Sequence, residues 1–444
     1  MKILLIQPKM NKRLMDTDLK IRMAPPLALL TLMNLTPDEH ETVMINENVE
    51  VIDYDCGVDL VGITITLDVL PRAISIAAEF RKMGVPVVAG GIHVTCSPKD
   101  CLPYFDAICI GPAERVWAKI IQDAKNGCLQ KEYCDAINFS GDEIVSPAYD
   151  RIDRQKYLYT NIVLTSRGCP NRCSFCYNSC TNRLYIRRPI CDVIKDIKTL
   201  GTRHILFIDD NFIGDPKYTG ELLNELQNMN LSWCAAVTTK ILDYPDLLDL
   251  MSKTGCQSLF IGFESINTKS LENVNKDNKV ERYEALIEAI HNRGIMINAS
   301  MVFGLDGDDA GTFDRTLNWL IKMRIETLTS HILTPYPGTE LYRKMEAEGR
   351  IVDFDLSKYN TANVVFTPAG MTDQELYKGY LRMYREFYSF KNIIRRYPKN
   401  KAQRKSYLLF NLFYRKFGQL TSAVTRIIPI GVLGKFAAKI SYRV

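Results

Sequence analysis

The sequence predicts an α/β protein. An N-terminal doubly wound sheet of the flavodoxin- or Rossmann-like type is followed by a partial (β/α)6 barrel and then by an α-helical C-terminal region. Two runs of alternating strand and helix patterns predict the two sheets, and a stretch without this alternation separates them. The chain has 444 residues, 46% hydrophobic and 24% charged, which is typical of a globular protein with two or three domains. The predicted segments are residues 1–130, 131–160, 161–333, 334–390 and 391–444.

The first unit contains five short apolar runs with amphipathic stretches between them. The predicted strands are Lys2–Ile6, Thr42–Asn46, Leu60–Ile65, Val85–Ala89 and Ala107–Ile110, and the predicted helices are Pro26–Met33, Pro71–Met83 and Ala113–Asp123. Strands joined by helices form a parallel sheet that is covered on both faces. Residues 131–160 then predict an extended connector to which we assign no chemistry.

Polar residues and glycines collect where three of these strands end. They are Thr64 and Thr66 after the third strand, Gly90, Gly91 and His93 after the fourth, and Gly111 and Glu114 after the fifth. Ligands of such sheets bind at this edge, and paired glycines admit a flat ligand close to the backbone. A tight turn and a packed histidine are equally good explanations at this point. The G-x-G-x-x-G loop is absent, which disfavours a nicotinamide dinucleotide.

The second unit alternates six strands with five helices, which predicts an open barrel. The strands are Asn161–Thr165, His204–Ile208, Leu231–Val237, Ser258–Phe263, Met296–Val302 and Glu326–Leu333, and the helices are Ile190–Thr199, Tyr218–Gln227, Tyr244–Lys253, Val280–Asn292 and Ala310–Ile321. Working residues of such barrels lie at the carboxyl ends of the strands. Residues 334–390, which end in a predicted helix Asp373–Phe390, form a cap that we expect to help determine the substrate.

The loop after the first barrel strand carries Cys169, Cys173 and Cys176 at C-x-x-x-C-x-x-C spacing. Three thiolates from one loop leave one iron of a four-iron cluster open, because such a cluster takes four ligands. The alternatives are unrelated core cysteines or a zinc site. Zinc usually uses two C-x-x-C pairs, or one pair with histidines, and the nearby Cys180 and Cys191 keep zinc possible.

The spacing, with an aromatic residue just before the third cysteine, resembles the signature of the radical S-adenosylmethionine (SAM) enzymes. In that family the open iron chelates the amino and carboxylate groups of SAM, and one electron cleaves SAM to a 5′-deoxyadenosyl radical. The resemblance places Phe175 and Tyr177 beside the adenine. It places Asp209 and Asp210, after the second barrel strand, near the ammonium of SAM. A helix cap is the alternative role for these two carboxylates.

Two further barrel strand ends resemble SAM-binding segments of the same family. Glu264 corresponds to an acid that meets the ribose or methionine end of SAM, and Ser300 and Met301 correspond to the segment that lines the adenine. The first unit resembles the cobalamin-binding domain that precedes this barrel in one large, cobalamin-dependent (class B) subfamily. Residues 1–130 are then a cobalamin-binding domain and residues 161–333 a radical SAM barrel.

The resemblance to the cobalamin-dependent subfamily also implies how cobalamin binds. The D-x-H-x-x-G motif is absent, so we expect base-off cobalamin without a protein histidine on cobalt. We expect His93 along the corrin edge or the nucleotide tail, and Leu67 and Asp68 below cobalt. The implied cofactors are therefore a [4Fe-4S] cluster, SAM and cobalamin.

The resemblance implies an enzyme, and the activity that it favours is that of a C-methyltransferase. The 5′-deoxyadenosyl radical would abstract hydrogen from an unactivated carbon of the substrate, and methylcobalamin would supply the methyl group. The alternatives are a radical SAM cyclase or carbon–carbon bond-forming enzyme without methyl transfer, and a non-catalytic cobalamin or iron–sulfur sensor. The expected partners are an electron donor of the flavodoxin or ferredoxin type and a small-molecule or lipid substrate.

The last segment, residues 391–444, is basic and amphipathic. It holds thirteen Lys or Arg and no Asp or Glu, whereas the preceding residues hold 43 basic and 51 acidic side chains. Such a segment favours contact with an anionic membrane surface, with docking on the protein's own acidic body or RNA binding as alternatives. We expect no nucleic acid, because no compact RNA-binding module is visible.

The compartment follows from the absence of targeting signals. No apolar run approaches the length of a membrane span, and Lys2–Ile6 is too short for a signal peptide. The thirteen cysteines are an odd number, which favours free thiols in a reducing compartment. We therefore expect a cytoplasmic protein, peripheral at the inner membrane face if the basic segment binds there.

Overall fold

The computed structural model describes residues 1–13, 16–181, 185–424 and 427–441, with two parallel sheets as the framework. The first sheet has six strands in the order β2-β1-β3-β4-β5-β6, all parallel. The strands are β1 (Lys2–Gln7), β2 (Glu41–Asn46), β3 (Leu60–Thr64), β4 (Val87–Gly90), β5 (Ala107–Cys109) and β6 (Glu132–Tyr133). This is the doubly wound arrangement that the sequence predicts.

Helices cover both faces of the first sheet, as strand alternation requires. Ile3 and Leu5 of β1 enter the main core, and Leu4 and Ile6 enter a second core on the opposite face. The helices are α1 (Asp18–Ile21), α2 (Leu27–Leu35), α3 (Leu70–Lys82), α4 (Ile92–Cys96), α5 (Pro98–Cys101) and α6 (Trp117–Lys125). Because the central strands are buried on both faces, their ends are the part that remains available to a ligand.

The connector is more structured than the sequence indicates. Its first residues form β6, which pairs with β5 and extends the sheet beyond the expected boundary at residue 130. Later in the connector, Tyr149 is buried and its hydroxyl donates to the carbonyl of Ile162 at 3.0 Å, at the start of the second sheet. The connector therefore joins the two sheets by packing and does not simply span them.

The second sheet is parallel, and its six strands follow chain order from one edge to the other. Between its first two strands lies a short antiparallel ribbon, whose two strands flank the cysteine loop. The strands are β7 (Ile162–Val163), then the ribbon β8 (Ser166–Arg167) and β9 (Ile186–Arg187), then β10 (His204–Phe207), β11 (Ser232–Val237), β12 (Cys256–Glu264), β13 (Met296–Phe303) and β14 (Thr327–Ile332). An open barrel of six parallel strands is confirmed.

Six helices connect the barrel strands, and their apolar faces pack on the main core. They are α7 (Ile190–Leu200), α8 (Pro216–Leu226), α9 (Pro245–Lys253), α10 (Thr268–Glu272), α11 (Tyr283–Asn292) and α12 (Thr312–Lys322). The short α10 is additional to the predicted set. It follows β12 directly and carries the chain back toward the cysteine loop, where the backbone N–H of Ser174 donates to the carbonyl of Val274 at 3.0 Å.

The C-terminal region covers the open edge of β14. The helices are α13 (Glu340–Ala347), α14 (Asp373–Phe387), α15 (Phe390–Arg395), α16 (Arg404–Leu408), a π-helical segment Leu409–Lys416, α17 (Gly418–Val424) and α18 (Ile430–Ser441). The hydroxyl of Tyr384 donates to the carbonyl of Ser330 and accepts from its N–H, and Tyr388 does the same with Leu328. Two tyrosines thus take the place of a neighbouring strand on an edge that would otherwise be unpaired.

Much of the basic segment docks on the body, so it is not a free membrane-binding tail throughout. The guanidinium of Arg396 is fully buried, donates to the carbonyls of Ile325, Glu326 and Phe387, and lies 3.5 Å from the ring centroid of Phe387. The predicted helix Asp373–Phe390 also breaks, because Ser389 caps a new helix there. No helix within the described ranges is long and apolar enough to cross a membrane.

Candidate active site

The three cysteines lie in a loop that the barrel holds from several sides. Gly168, with φ +81°, turns the chain out of β8 into Cys169, and the backbone N–H of Cys176 donates to the carbonyl of Cys173 at 3.1 Å. Burial raises the pKa of all three thiols, that of Cys176 to about 12. The side chain of Asn275 and the backbone of Leu341 fix the loop by hydrogen bonds to its carbonyls.

The donor set fits an iron–sulfur cluster better than a zinc ion. The three thiols lie within electrostatic reach of one another, but the described ranges contain no three His, Cys, Asp or Glu side chains close enough to share a single ion. A cluster is wider than one ion and takes thiolates that stand further apart. The remaining zinc candidates are unsuitable, because Cys180 hydrogen-bonds with Cys96 and Cys191 is exposed on α7.

The two adjacent carboxylates after β10 have different environments. Asp209 is buried, and its Oδ1 accepts from the N–H and hydroxyl of Thr165 at 3.0 and 2.9 Å and from those of Ser166 at 2.5 and 2.8 Å. Burial raises the pKa of Asp209 to about 6. Asp209 therefore supports the start of the cysteine loop through Oδ1, while its Oδ2 is buried without a hydrogen-bond partner among the described residues. Its expected place beside SAM stays a prediction.

Asp210, in contrast, is exposed at the end of β10 and faces the cysteines. Neighbouring protein groups partly exclude water from the Asp210 carboxyl, which raises its pKa. Hydrogen bonds from the Asn178 side chain and the Gly168 backbone oppose that rise. Its charge acts on the thiols of Cys169 and Cys176. Asp210 is thus placed to meet a positively charged ligand at the loop.

A buried ion pair also lies near the cysteine loop. One of its members, Lys276, was not identified as a site residue from the sequence. Glu264 ends β12 at φ +63°, accepts from the ammonium of Lys276 at 3.0 Å, and accepts from the Ser300 hydroxyl at 3.3 Å. Both charged side chains are 10% exposed. Lys276 also lies within electrostatic reach of Cys173. The loop around Lys276 has no local motif, so only the fold brings the residue to the cysteines.

The residues expected beside the adenine are divided between the site and the core. The Met301 side chain is fully buried within the main core, and its expected role beside the adenine stays a prediction. Phe175 is partly buried and packs against the same core. Tyr177 follows the last cysteine and stacks on Tyr336 with ring centroids 4.4 Å apart.

His93 lies in the contact between the two sheets. It is fully buried, its Nδ1 is 3.2 Å from the hydroxyl of Tyr177, and burial lowers its pKa to about 4. The imidazole is neutral and enclosed, and its Nε2 is buried without a hydrogen-bond partner among the described residues. Its expected place along a corrin edge stays a prediction. Close by, Glu114 forms an ion pair at 2.5 Å with Arg167, two residues before the first cysteine. Glu114 is thus also an inter-sheet contact.

The other strand-end residues of the first sheet differ in accessibility. Gly91 has φ +107°, and a Cβ there would lie 2.7 Å from the backbone nitrogen of Ile65, so the backbone itself requires this glycine. Leu67 is buried in the main core. The remaining predicted residues keep partial or full exposure at this edge: Thr64, Thr66, Asp68, Gly90 and Gly111. These strand-end positions therefore remain accessible to a ligand.

Comparisons with known proteins agree with this geometry. The sequence profile of the radical SAM superfamily matches residues 163–320, and that of a domain of unknown function, DUF4070, matches residues 339–437. A bacteriochlorophyllide d C-12(1)-methyltransferase of Chlorobaculum tepidum is 29% identical over 410 residues, or 89% of each chain. A hopanoid C-2 methylase of Rhodopseudomonas palustris is 27% identical over 76% of this chain and 67% of its own.

Two solved structures share the fold over most of the chain. TsrM from Kitasatospora setae, a radical SAM methyltransferase solved with cobalamin and a [4Fe-4S] cluster, superposes with a TM-score of 0.62 at 18% identity, covering 78% of each chain. OxsB, a cobalamin-dependent SAM radical enzyme, superposes with a TM-score of 0.67 at 13% identity, covering 99% of this chain and 75% of that one.

A partial parallel barrel whose first loop carries three cysteines at this spacing is that of a radical SAM enzyme. The profile match and the near full-length methyltransferase relatives agree with that assignment. The fold of the chain is also that of TsrM, solved with cobalamin and a cluster bound, and of the cobalamin-dependent enzyme OxsB. The match to DUF4070 ends at residue 437, so it includes most of the basic segment, which is docked on the body here.

Proposed function

We propose that the protein is a cobalamin-dependent radical SAM methyltransferase that methylates an unactivated carbon of a hydrophobic small molecule. The observation that carries this proposal is the position of the cysteine loop. It lies between the carboxyl edge of the first sheet, which it contacts through Tyr177 and Arg167, and the acidic strand end at Asp210. One loop thereby faces both cofactor positions, as transfer between them requires.

Specific residues would hold the cluster and SAM. Cys169, Cys173 and Cys176 would bind three irons, and Asp210 would pair with the ammonium of SAM. The ion pair of Glu264 and Lys276 would offer a carboxylate to the ribose hydroxyls and an ammonium to the methionine carboxylate of SAM. Such charge-assisted hydrogen bonds are the strong ones in partly buried sites. They would fix SAM in one orientation on the open iron.

The edge of the first sheet would hold cobalamin without a histidine on cobalt, because His93 is already enclosed by Tyr177. Thr66 and Asp68 hydrogen-bond with each other at 2.8 Å and remain on the open side of the edge. When bound, the cluster and SAM supply hydrogen abstraction, and cobalamin supplies the methyl group. The chain positions these groups and excludes water between them.

The substrate class rests on the relatives, which are named for a bacteriochlorophyllide and a hopanoid. Product analysis tests the reaction. Protein reconstituted with iron, sulfide and cobalamin, then supplied with SAM, a reductant and candidate substrates, should give methylated product with both S-adenosylhomocysteine and 5′-deoxyadenosine. If 5′-deoxyadenosine accompanies a cyclised or coupled product and no S-adenosylhomocysteine forms, the enzyme is not a methyltransferase.

The sensor alternative has a separate test, which needs no substrate. Cys173→Ala should abolish SAM cleavage, whereas Cys191→Ala should leave it unchanged, because Cys191 is exposed on α7 away from the loop. Reconstituted wild-type protein that binds cobalamin but never cleaves SAM under strong reduction would favour the sensor. Equal cleavage by the Cys173→Ala protein would refute the cluster assignment.

The partners follow from the chemistry. Reductive cleavage of SAM requires an electron donor, for which a flavodoxin or ferredoxin is our proposal. We also propose that the docked basic segment contacts an anionic membrane surface, because it retains exposed apolar side chains: Phe413, Leu420, Ile427 and Phe436, 54%, 66%, 85% and 62% exposed. Sedimentation with phosphatidylglycerol vesicles should fall for a Leu420→Ser, Ile427→Ser double variant. Equal sedimentation would remove the membrane proposal.

A further inference from the structure

A partly buried group of cations lies beside the candidate active site, and none of the roles assigned above uses it. It consists of Arg13, Lys20 and Arg415, which come from the N-terminal segment, α1 and the π-helical segment. Three distant stretches of chain therefore converge there. The contact of α1 with α17 holds two of these stretches together, since the backbone N–H of Asp18 donates to the Ser422 hydroxyl at 3.1 Å.

The cations face the carboxyl end of β14. Thr361 places its hydroxyl 3.0 Å from Arg13 Nη1 and 3.0 Å from His331 Nδ1, so one hydroxyl bridges the N-terminal segment and the barrel. Thr361 has φ +66°, an unusual conformation for a β-branched residue, and its carbonyl accepts from the N–H of Ile332 at 2.8 Å. Burial first, then the charges of Arg13, Lys20 and Arg415, lower the pKa of His331 to about 3. The imidazole is therefore neutral, and all three cations lie within its electrostatic reach.

The group has more positive than negative charge. Asp16 pairs with Arg13 at 3.0 Å, and Asp68 is a second carboxylate within electrostatic reach of Arg13. Asp16 is also within electrostatic reach of Lys20 and Arg415, so the three cations share their carboxylates. Neither Lys20 nor Arg415 has a carboxylate within ion-pair distance among the described residues. Burial and the charge of Arg13 lower the pKa of Lys20. Three cations that share two carboxylates leave unbalanced positive charge in a partly buried place, which favours an anion there.

The guanidinium of Arg415 also lacks hydrogen-bond partners in the described part of the chain. Its guanidinium lies over the rings of Tyr384 and Tyr414, 5.6 and 5.2 Å from their centroids, and its Nε is buried without a hydrogen-bond partner among the described residues. The segment that carries it is π-helical, a conformation that is often found at functional sites. Aromatic walls around a cation suit a ligand that joins an apolar body to an anionic group.

One aromatic residue separates these cations from the cysteine loop. Tyr336 stacks on Tyr177, next to Cys176, and its phenol lies within electrostatic reach of Asp68, Arg13 and Cys176. A ligand group held by the cations would therefore place the rest of the ligand toward the space between the cysteine loop and the first sheet. That space is where the proposed reaction takes place.

We infer that Lys20 and Arg415, together with Arg13, bind an anionic oxygen group, a carboxylate or a phosphate, of the substrate. This inference rests on the proposed function for its site and adds the chemical class of the substrate: an amphiphile with an apolar body and an anionic end. The anchor holds the far end of the molecule and leaves the reacting carbon free.

Three probes with the same apolar body test the anchor in protein loaded with cluster and cobalamin: dodecanoate, dodecyl phosphate and dodecanol, below their micelle concentrations. Calorimetry should show that at least one anion binds ten-fold or more tightly than dodecanol, and the better anion identifies carboxylate or phosphate. Lys20→Gln and Arg415→Gln should each reduce that preference by about ten-fold to a hundredfold. Lys416→Gln, an exposed neighbouring cation, should leave it unchanged.

The outcomes separate this inference from the proposed function. Arg415→Lys, which keeps the charge, should keep most of the preference, and cobalamin content and substrate-free SAM cleavage should be unchanged in all four variants. The inference is overturned if wild-type protein binds none of the probes, binds dodecanol as tightly as both anions, or loses the preference equally in Lys416→Gln. Loss of cobalamin in the Lys20 and Arg415 variants would also overturn it, because the anion would then belong to the cofactor. Absence of SAM cleavage in every protein would refute the proposed function alone.

Discussion

Replacing the adjacent residues Asp209 and Asp210 by alanine should affect different properties: the free energy of unfolding for Asp209 and the affinity for SAM for Asp210. Asp209 accepts four hydrogen bonds from Thr165 and Ser166 and is 2% exposed, whereas Asp210 is exposed at the cysteine loop. We predict that Asp209→Ala lowers the free energy of unfolding with a smaller effect on SAM affinity. Asp210→Ala should weaken SAM binding and leave the free energy of unfolding nearly unchanged.

The magnitudes follow from the contacts. Asp209→Ala leaves two buried N–H groups without an acceptor, at about 1–3 kcal/mol each, and removes two hydroxyl bonds worth about 0.5–1.5 kcal/mol each. Against this, the pKa of about 6 means that the buried carboxylate costs about 3 kcal/mol at neutral pH, and the substitution removes that cost. The net loss is about 3 kcal/mol. For Asp210→Ala, one charge-assisted bond to SAM is worth about 1.5–3 kcal/mol, or about 10- to 100-fold in Kd.

Urea unfolding and equilibrium dialysis with labelled SAM measure the two quantities on the same anaerobic preparations, with equal iron and cobalamin content. Each variant is the control for the other, since the two residues are adjacent and have the same charge. The reasoning fails if Asp209→Ala loses less than about 1 kcal/mol while its SAM affinity falls as far as that of Asp210→Ala. That result would mean that Asp209 leaves its four donors to bind SAM.

Three further predictions concern the scaffold. Burial raises the pKa of Asp308 to about 6, so the native state holds this proton more tightly than the unfolded chain. The stability of wild type relative to Asp308→Asn should therefore be highest below pH 4 and fall by about 3 kcal/mol as pH rises through 6; a pH-independent difference in urea unfolding would contradict this. Tyr388→Phe removes a hydroxyl that bridges the backbone of the edge strand and should lose about 1–3 kcal/mol, whereas Tyr244→Phe, 41% exposed, should change unfolding by less than about 0.5 kcal/mol. Gly91→Ala should lose at least about 3 kcal/mol in thermal unfolding, from strain and collision together, and Gly84→Ala, which also has positive φ but open space around it, about 1–2 kcal/mol; equal losses would show that the collision relaxes.

The sequence predicted the two parallel sheets because each strand leaves a local pattern of apolar residues between helices. It also predicted the cysteine loop, since the three ligands lie within eight residues of one another. The strand β6 was missed because Glu132–Tyr133 is two residues long, too short for any periodicity. Lys276 was missed for a different reason: its partner Glu264 is twelve residues away, across α10. Only the path of the chain brings the two together.

Strand-end position predicted where these residues lie along the chain but not how deeply each side chain is buried. Asp209 and Asp210 both follow β10, but neighbouring residues point to opposite sides, so one side chain enters the core and the other the site. Met301 lies at the expected strand end and is nevertheless enclosed by the core. His93 follows β4 as expected, and Tyr177 then covers it. Burial depends on the opposing element, and a single strand's sequence carries no information about that element.

The composition of the C-terminal segment suggested a separate membrane-binding tail, and the structure gives its cations two different surroundings. Arg396 donates through Nη1 and Nη2 to three backbone carbonyls of the body, and so it stabilises the docked segment. The Nε atoms of Arg396 and Arg415 are both buried without a partner among the described residues, but Arg415 makes no hydrogen bond to the described chain through its other nitrogens either and faces aromatic rings. If docking alone explained the basic character, both guanidiniums would donate hydrogen bonds to the chain. This difference is why we assign Arg396 to the fold and propose a ligand for Arg415, which would make part of the C-terminal segment a wall of the active site.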